Sequence, residues 1–315
     1  MRQVGRRTAL AALGIGLLSA CTTEGYQGSE RTVGIAAGEQ GGFYLAFGQL
    51  LAQQLSAAQP LLHGKALETP ASLANIDLLR SGKADMALAL TDTARAAVNG
   101  QDPFRGKVEL CALGRVYENY LQLVVRNDSP VRTVADLAGR TISLGANGSG
   151  ASLTGERILD VAGIRLAVRH LALADAVAAL ESRAVDAVLW SGGVPTPKLA
   201  ELDTRVGIRL LALDGVLPGM RARFGAVYEQ VPVPSGGYQF VHEVPTIGVA
   251  NLLVCLPSLP DEVAAAVVGV LVNRADQLVP QQALGTQFLD VRTLIGTVDV
   301  PLHPGAAAAY RALHG

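Results

Sequence analysis

Two glycine-rich turns carry the residues with the clearest chemical potential. The first is Gly38-Glu39-Gln40-Gly41-Gly42 and the second Gly145-Ala146-Asn147-Gly148-Ser149-Gly150. Each stands between a short apolar run with β-branched residues, Thr32–Ala37 or Thr141–Leu144, and a helical pattern. In the first helix Phe43, Phe47, Leu50, Leu51 and Leu55 share one face. A strand, a glycine turn and a helix start present N–H groups without partners, and the helix dipole adds partial positive charge there. The chemistry this suits is capture of an anionic solute. Gly41 and Gly42 allow close backbone approach. Ser149, Gly150 and Ser152 offer amide and hydroxyl donors at the second helix start. The Tyr44 hydroxyl can donate to a carboxylate, and Phe43 suits either a pocket wall or the core. Ser72 and Asn75 lie on one face of a further helix, where both can reach a ligand or bond the first-turn backbone. Thr91 and Asp92 read as helix caps first and ligand contacts second. Tyr117 stands in the stretch expected to cross between halves. Gly192, Gly193, Val194 and Pro195 form a turn with a fixed shape. Trp190, the single Trp, is expected in the core at a strand end.

Patterns for covalent or cofactor chemistry do not match. A dinucleotide fold wants G-x-G-x-x-G, and the first loop reads G-x-x-G-G. A phosphate loop wants G-K-[ST], but Gly150-Ala151-Ser152 has no lysine. Ser149, Ser152, Ser191 and Ser235 all fail G-x-S-x-G. The five histidines are scattered, and none has metal-ligand spacing. A binding protein with no catalytic residue, metal or cofactor is therefore the expectation.

The elements that must hold these turns are legible from the pattern. Half of the residues are hydrophobic, which suits an α/β protein with buried parallel strands. The chain opens on Arg2, Arg6 and Arg7, an apolar run Ala9–Leu18, and Leu18-Ser19-Ala20-Cys21. The run is too short to span a bilayer but right for a signal h-region. The tetrad matches a bacterial lipobox, so residues 1–20 are expected to be a lipoprotein signal peptide, Cys21 the lipidated residue and 21–30 a tether. Arg6-Arg7 hints at twin-arginine export, although Ala9 stands where a bulky apolar residue is usual. The expected location is extracytoplasmic, anchored at the membrane surface. Without the prefix, 23 basic residues face 27 acidic ones, a balance that gives nucleic acid no basic face. Cys111 and Cys255 sit in apolar runs and are expected as two buried thiols rather than a pair.

Strand and helix alternate twice along the chain. Thr69-Pro70 reads as the start of a helix that Gly82 closes, and Ala84–Leu90 as a buried strand. Val108–Leu113 reads as a strand and Arg115–Val125 as a crossover. After the second glycine turn, Val185–Trp190 answers Ala84–Leu90, and Asp186 answers Asp85. The order implies two similar α/β lobes, each presenting helix N-termini at the carboxyl ends of its strands, with a cleft between them.

With those residues placed, the chain resembles solute-binding subunits of tripartite ATP-independent periplasmic (TRAP) transporters of the TAXI type. The resemblance rests on GEQGGFYLAFG, ASLANIDLLRSGKADMALALTDTA, LVVRNDSPVRTVADLAGRTISLGANGSGAS, AVLWSGGVPTP, VPSGGY, EVPTIGVANLLV and PLHPGAAAAY, in the family's order. It implies a two-lobed, type II periplasmic-binding-protein fold, each lobe a mostly parallel sheet flanked by helices. Lobe I would be residues 31–118 plus 241–315 and lobe II residues 119–240. It further implies a membrane permease driven by an ion gradient as partner, and a glutamate-, glutamine- or 2-oxoglutarate-like carboxylate as ligand. A module presenting solute to a sensor kinase is the alternative. Three departures stand out: Glu39 in the first loop, Ala46 for a frequent proline, and Glu118-Asn119 after Tyr117 where Pro-Glu is usual. A carboxylate at Glu39 facing the cleft would favour a zwitterion over a dicarboxylate.

Overall fold

The computed structural model describes residues 25–239, 243–280 and 283–314. The expected signal peptide, Cys21 and the first residues of the tether lie outside these. In chain order the elements are β1 (Arg31–Ala36), α1 (Phe43–Ala58), β2 (Leu62–Leu67), α2 (Ser72–Arg80), β3 (Met86–Leu90), α3 (Thr91–Asn99) and β4 (Cys111–Arg126). Next come β5 (Thr141–Ser143), α4 (Gly150–Ala162), β6 (Ala167–Arg169), α5 (Leu173–Glu181), β7 (Ala187–Gly192), α6 (Pro197–Val206) and β8 (Ile208–Leu211). The chain closes with α7 (Leu217–Phe224), β9 (Tyr228–Val233), β10 (Val244–Cys255), α8 (Asp261–Asn273), α9 (Val291–Leu294) and α10 (Pro304–His314). Among the described residues no helix is long and apolar enough to cross a membrane.

The strands form one curled mixed sheet in the order β2-β1-β3-β10-β4-β7-β5-β6, with β8 beside β4 and β9 beside β10. The outer portions are parallel: β1 with β2 and β3, and β5 with β6 and β7. Two long antiparallel strands join them. β10 pairs with β3 and with β4, and β4 pairs with β7. The stretch Arg115–Val125, expected as a crossover, is thus the middle of a strand. It is buried along nearly its whole length, covered on both faces as a strand shared by both halves must be.

Helices cover both faces of each half. In the first half, α1, α8 and α10 pack over Val33, Ile35 and Leu88, while α2 and α3 pack over Ala36, Ala87 and Ala89. In the second, α4 and α7 cover one face and α5 and α6 the other. The two halves repeat one local device. Asp85 accepts from the Gly34 amide of β1 (2.8 Å), and Asp186 from the Thr141 amide of β5 (2.9 Å). Each carboxylate thus pins the neighbouring parallel strand at the turn that precedes its own. Cys111 and Cys255 are register partners across β4 and β10, buried and unpaired.

Two helix starts differ from expectation. α2 begins at Ser72, because Ala71 takes a positive φ (92°) and turns the chain after Thr69-Pro70. The Thr69 hydroxyl accepts from the Ala71 amide (3.1 Å) and donates to Asn75 Oδ1 (2.5 Å), so it braces the turn rather than capping the helix. Thr91 and Asp92 are not caps either. They lie inside the first turn of α3, and their side chains reach other elements.

Candidate functional site

Three helix N-termini meet at one small cavity. Gly42, Phe43 and Tyr44 bring the start of α1, Ala71 and Ser72 the start of α2, and Ser149, Gly150 and Ala151 the start of α4. The cavity is also lined by Gly38, Glu39, Pro70, Leu90 and Asn119, and by Trp190, Ser191 and Gly192 at the end of β7. The first-turn amides of a helix have no acceptor within it. Two of those here are already taken: Ala74 N–H by the Gly148 carbonyl of the other half (3.1 Å) and Ser152 N–H by Ser149 Oγ (3.0 Å). The remainder of the three turns faces a space with no lysine or arginine among its described lining residues.

The cavity measures about 30 Å³, room for on the order of two waters. The two halves are drawn together around it. A Cβ on Gly150 would lie 2.6 Å from Leu90 Cδ1 and 2.7 Å from Ser72 Oγ, so only glycine permits this approach of α4 to the first half. Likewise, a Cβ on Gly193 would lie 2.3 Å from the Phe43 ring.

Two carboxylates bridge the halves. Glu39 Oε2 accepts from the Leu173 amide at the start of α5 (2.6 Å), which places a negative group on that helix N-terminus. Burial raises the Glu39 pKa, and the Leu173 bond opposes the rise. Asp92, 2% exposed, accepts from Thr154 Oγ1 (2.9 Å), Arg157 (3.1 Å) and the Tyr228 hydroxyl (2.8 Å). Burial works against the charge on Arg157, but Asp92 and Tyr228 beside it leave its pKa above the usual value.

Of the sequence-derived candidates, Gly42, Phe43, Tyr44, Ser72, Ser149, Gly150 and Gly192 come together on the cavity wall. The others do not line it. Gly41 is exposed beside the Lys198 side chain. Asn75 is consumed by structure: its amide donates to the carbonyls of Ala37 (2.6 Å) and Leu88 (2.8 Å). Thr91 donates to the Ala250 carbonyl (2.8 Å) and Asp92 forms the bridge above. Tyr117 is fully buried against Phe43, Phe47 and Tyr44, and its hydroxyl has no partner among the described residues. The Ser152 hydroxyl lies 3.3 Å from His170 Nδ1. The Gly193 carbonyl accepts from Thr196 (2.8 Å), and Val194 packs against Gly237 ahead of Pro195.

Even the Tyr44 hydroxyl turns away, bonding Asn251 Oδ1 on β10 and lying 3.4 Å from Ser72 Oγ. Arg115 and Arg126 are engaged elsewhere, with Glu118 and Glu229 and with Asp128. Trp190 is in the core near the end of β7, as expected, and it also lines the cavity, with its indole N–H donated to Thr196 Oγ1 (3.1 Å). Asn119, Ser191 and Leu90 were not candidates at all. The departure at Glu118-Asn119 was the one sequence signal pointing toward Asn119.

This arrangement defines an α/β protein of the periplasmic-binding-protein type, with a cleft between the halves of its sheet. It is similar to a solved protein of Bordetella bronchiseptica RB50, at 16% identity and a TM-score of 0.58 over 92% of this chain and 100% of that one. It is also similar to the alkanesulfonate-binding protein SsuA from Xanthomonas axonopodis pv. citri bound to MOPS. There the identity is 19% and the TM-score 0.50, over 90% of this chain and 84% of the other. At such identities the likeness is one of fold. Within that fold class the NMT1-like family matches residues 35–312, and the chain belongs to it.

Proposed function

We propose that this protein is an extracytoplasmic solute-binding subunit that captures a small organic anion or amino acid between its two halves. The observation that carries the reading is the convergence of the N-termini of α1, α2 and α4 on one cavity. Helix N-termini from both halves can bind a carboxylate only when the halves are together, so ligand binding and closure become one event. Residues 31–118 with 241–315 serve as one lobe and 119–240 as the other, hinged on β4 and β10. Ligands of the glutamate, glutamine and 2-oxoglutarate type suit this chemistry, and because the cavity here measures only about 30 Å³, the halves must stand further apart around them. The TAXI-like motifs support delivery to a TRAP-type permease, and the lipobox supports anchoring through Cys21. SsuA, named as an alkanesulfonate-binding protein bound to MOPS, shares the fold, and an alkanesulfonate is an anion, which agrees with an anion site. SsuA is named as a binding protein, which supports a subunit that releases its ligand unchanged.

Mass spectrometry of small molecules released from the purified protein, followed by calorimetry with glutamate, glutamine and 2-oxoglutarate, tests this. Recovery of a carboxylate that binds back supports the reading. A failure of all three to bind, or chemical conversion of a bound ligand, overturns it.

A further inference from the structure

The cavity carries an acceptor that nothing among the described residues satisfies. Asn119 lies on β4, in the strand shared by both halves, and lines the cavity while being only 1% exposed. Its Nδ2 donates to Ser191 Oγ (3.2 Å), and Ser191 lines the same cavity. Its Oδ1 is buried and has no hydrogen-bond partner among the described residues. Buried amide oxygens are nearly always paired, so an orphan on a cavity wall marks the place of a donor that arrives with a ligand.

The charges around it narrow the donor. The helix N-termini favour a negative group, yet Glu39 lines the same cavity and brings a carboxylate of its own. The Leu173 amide at the start of α5 holds its Oε2, and among the described lining residues no lysine or arginine adds to that. A ligand that is only an anion would leave Asn119 Oδ1 unpaired and crowd Glu39. A ligand carrying both a carboxylate and an ammonium group would meet both demands. The ammonium offers several donors and a positive charge, and the carboxylate takes the amides.

We propose that Asn119 is a specificity-determining residue, its Oδ1 accepting a hydrogen bond from the ammonium group of a small amino acid whose carboxylate sits at the helix N-termini. The assignment rests on the anion-capturing reading of the cleft and adds to it the class of solute.

The test uses matched series differing only at carbon 2: alanine, lactate and pyruvate, and glutamate, 2-hydroxyglutarate and 2-oxoglutarate. A buried acceptor left without a donor weakens binding by roughly ten- to hundredfold. Calorimetry on the wild-type protein is therefore expected to show the amino acid binding at least tenfold more tightly than the 2-oxo acid of the same skeleton. Asn119→Leu should bring that ratio close to one. Asn119→Asp, which keeps the acceptor and adds charge, should keep or widen it. Should the leucine variant fail to fold, the wild-type ratio and the aspartate variant decide.

Equal or tighter binding of the 2-oxo or 2-hydroxy acid by the wild type overturns the role of Asn119 and leaves the anion site standing. So does a preference for the amino acid that Asn119→Leu leaves unchanged. No binding of any member of either series at millimolar concentration overturns the anion site itself, and the proposal with it.

Discussion

The bridge from Asp92 to α4 and β9 should govern how readily the cleft closes. Asp92 is on α3 in the first half, and its partners Thr154, Arg157 and Tyr228 belong to elements across the cleft. The bridge lies outside the cavity, so its removal should not touch the ligand. When the halves part, water can solvate Arg157, so Asp92→Ala penalises the closed form far more than the open one. Breaking a buried ion pair by removing one partner costs about 3–5 kcal/mol when the other charge stays buried. Since Arg157 is still partly exposed (12%), the lower end of that range applies, about 3 kcal/mol. A ligand that binds only the closed form then loses roughly a hundredfold in affinity. The assay is calorimetry on wild type and Asp92→Ala with the native ligand, with small-angle scattering of the unliganded proteins alongside. The expected result is the hundredfold loss, a larger radius of gyration for the variant, and an unchanged far-ultraviolet spectrum. A variant that binds within threefold of wild type, with the same radius of gyration, would refute the reasoning.

Glu118 is buried beside Arg115 (3.3 Å), and its pKa is pushed up to about 7, chiefly by burial and further by Glu229, with Arg115 opposing. The folded protein therefore holds this proton more tightly than the unfolded chain. The resulting stability is full below about pH 4.5 and is lost by about pH 7, roughly 3 kcal/mol at most. Denaturant titrations should show Glu118→Gln removing that share of the pH dependence, and parallel pH curves for the two proteins would contradict it. Gly150→Ala introduces a methyl against Leu90 and Ser72. Overpacking of about 1–3 kcal/mol in the closed form should weaken ligand binding by roughly five- to hundredfold, and unchanged calorimetry would show that α4 is not so tightly seated. Asn75→Ala strands the Ala37 and Leu88 carbonyls. It should cost about 2 kcal/mol or more of folding stability, read as a lower thermal midpoint, whereas an unaltered midpoint would argue against Asn75 as a structural brace.

Local pattern made much of the fold legible. The two glycine turns, their flanking strands and helices, and the pair Asp85 and Asp186 all depend on residues close in sequence. The structure gives the two aspartates matching roles. What the pattern could not show is how partners meet from afar. Ser, Thr and Asp at a helix start look like caps whatever they bond. Asp92 looked so, yet its partners lie 62, 65 and 136 residues away. Tyr44 read as a ligand donor until the fold brought Asn251 to its hydroxyl. Asn119 was hidden because a polar residue in an apolar run carries no sign of which atom is left unpaired. Trp190 read as core because nearly complete burial and a place on a cavity wall are compatible in a closed cleft.

A crystal structure of the protein with an amino acid bound would test the central claim most directly. The expected result is a carboxylate within hydrogen-bonding distance of first-turn amides of α1 or α2 from one half and α4 from the other, with the ligand enclosed between them. A ligand seated instead in the open groove of about 630 Å³ beside Arg157 and Phe224, or touching the helix starts of one half alone, would contradict it.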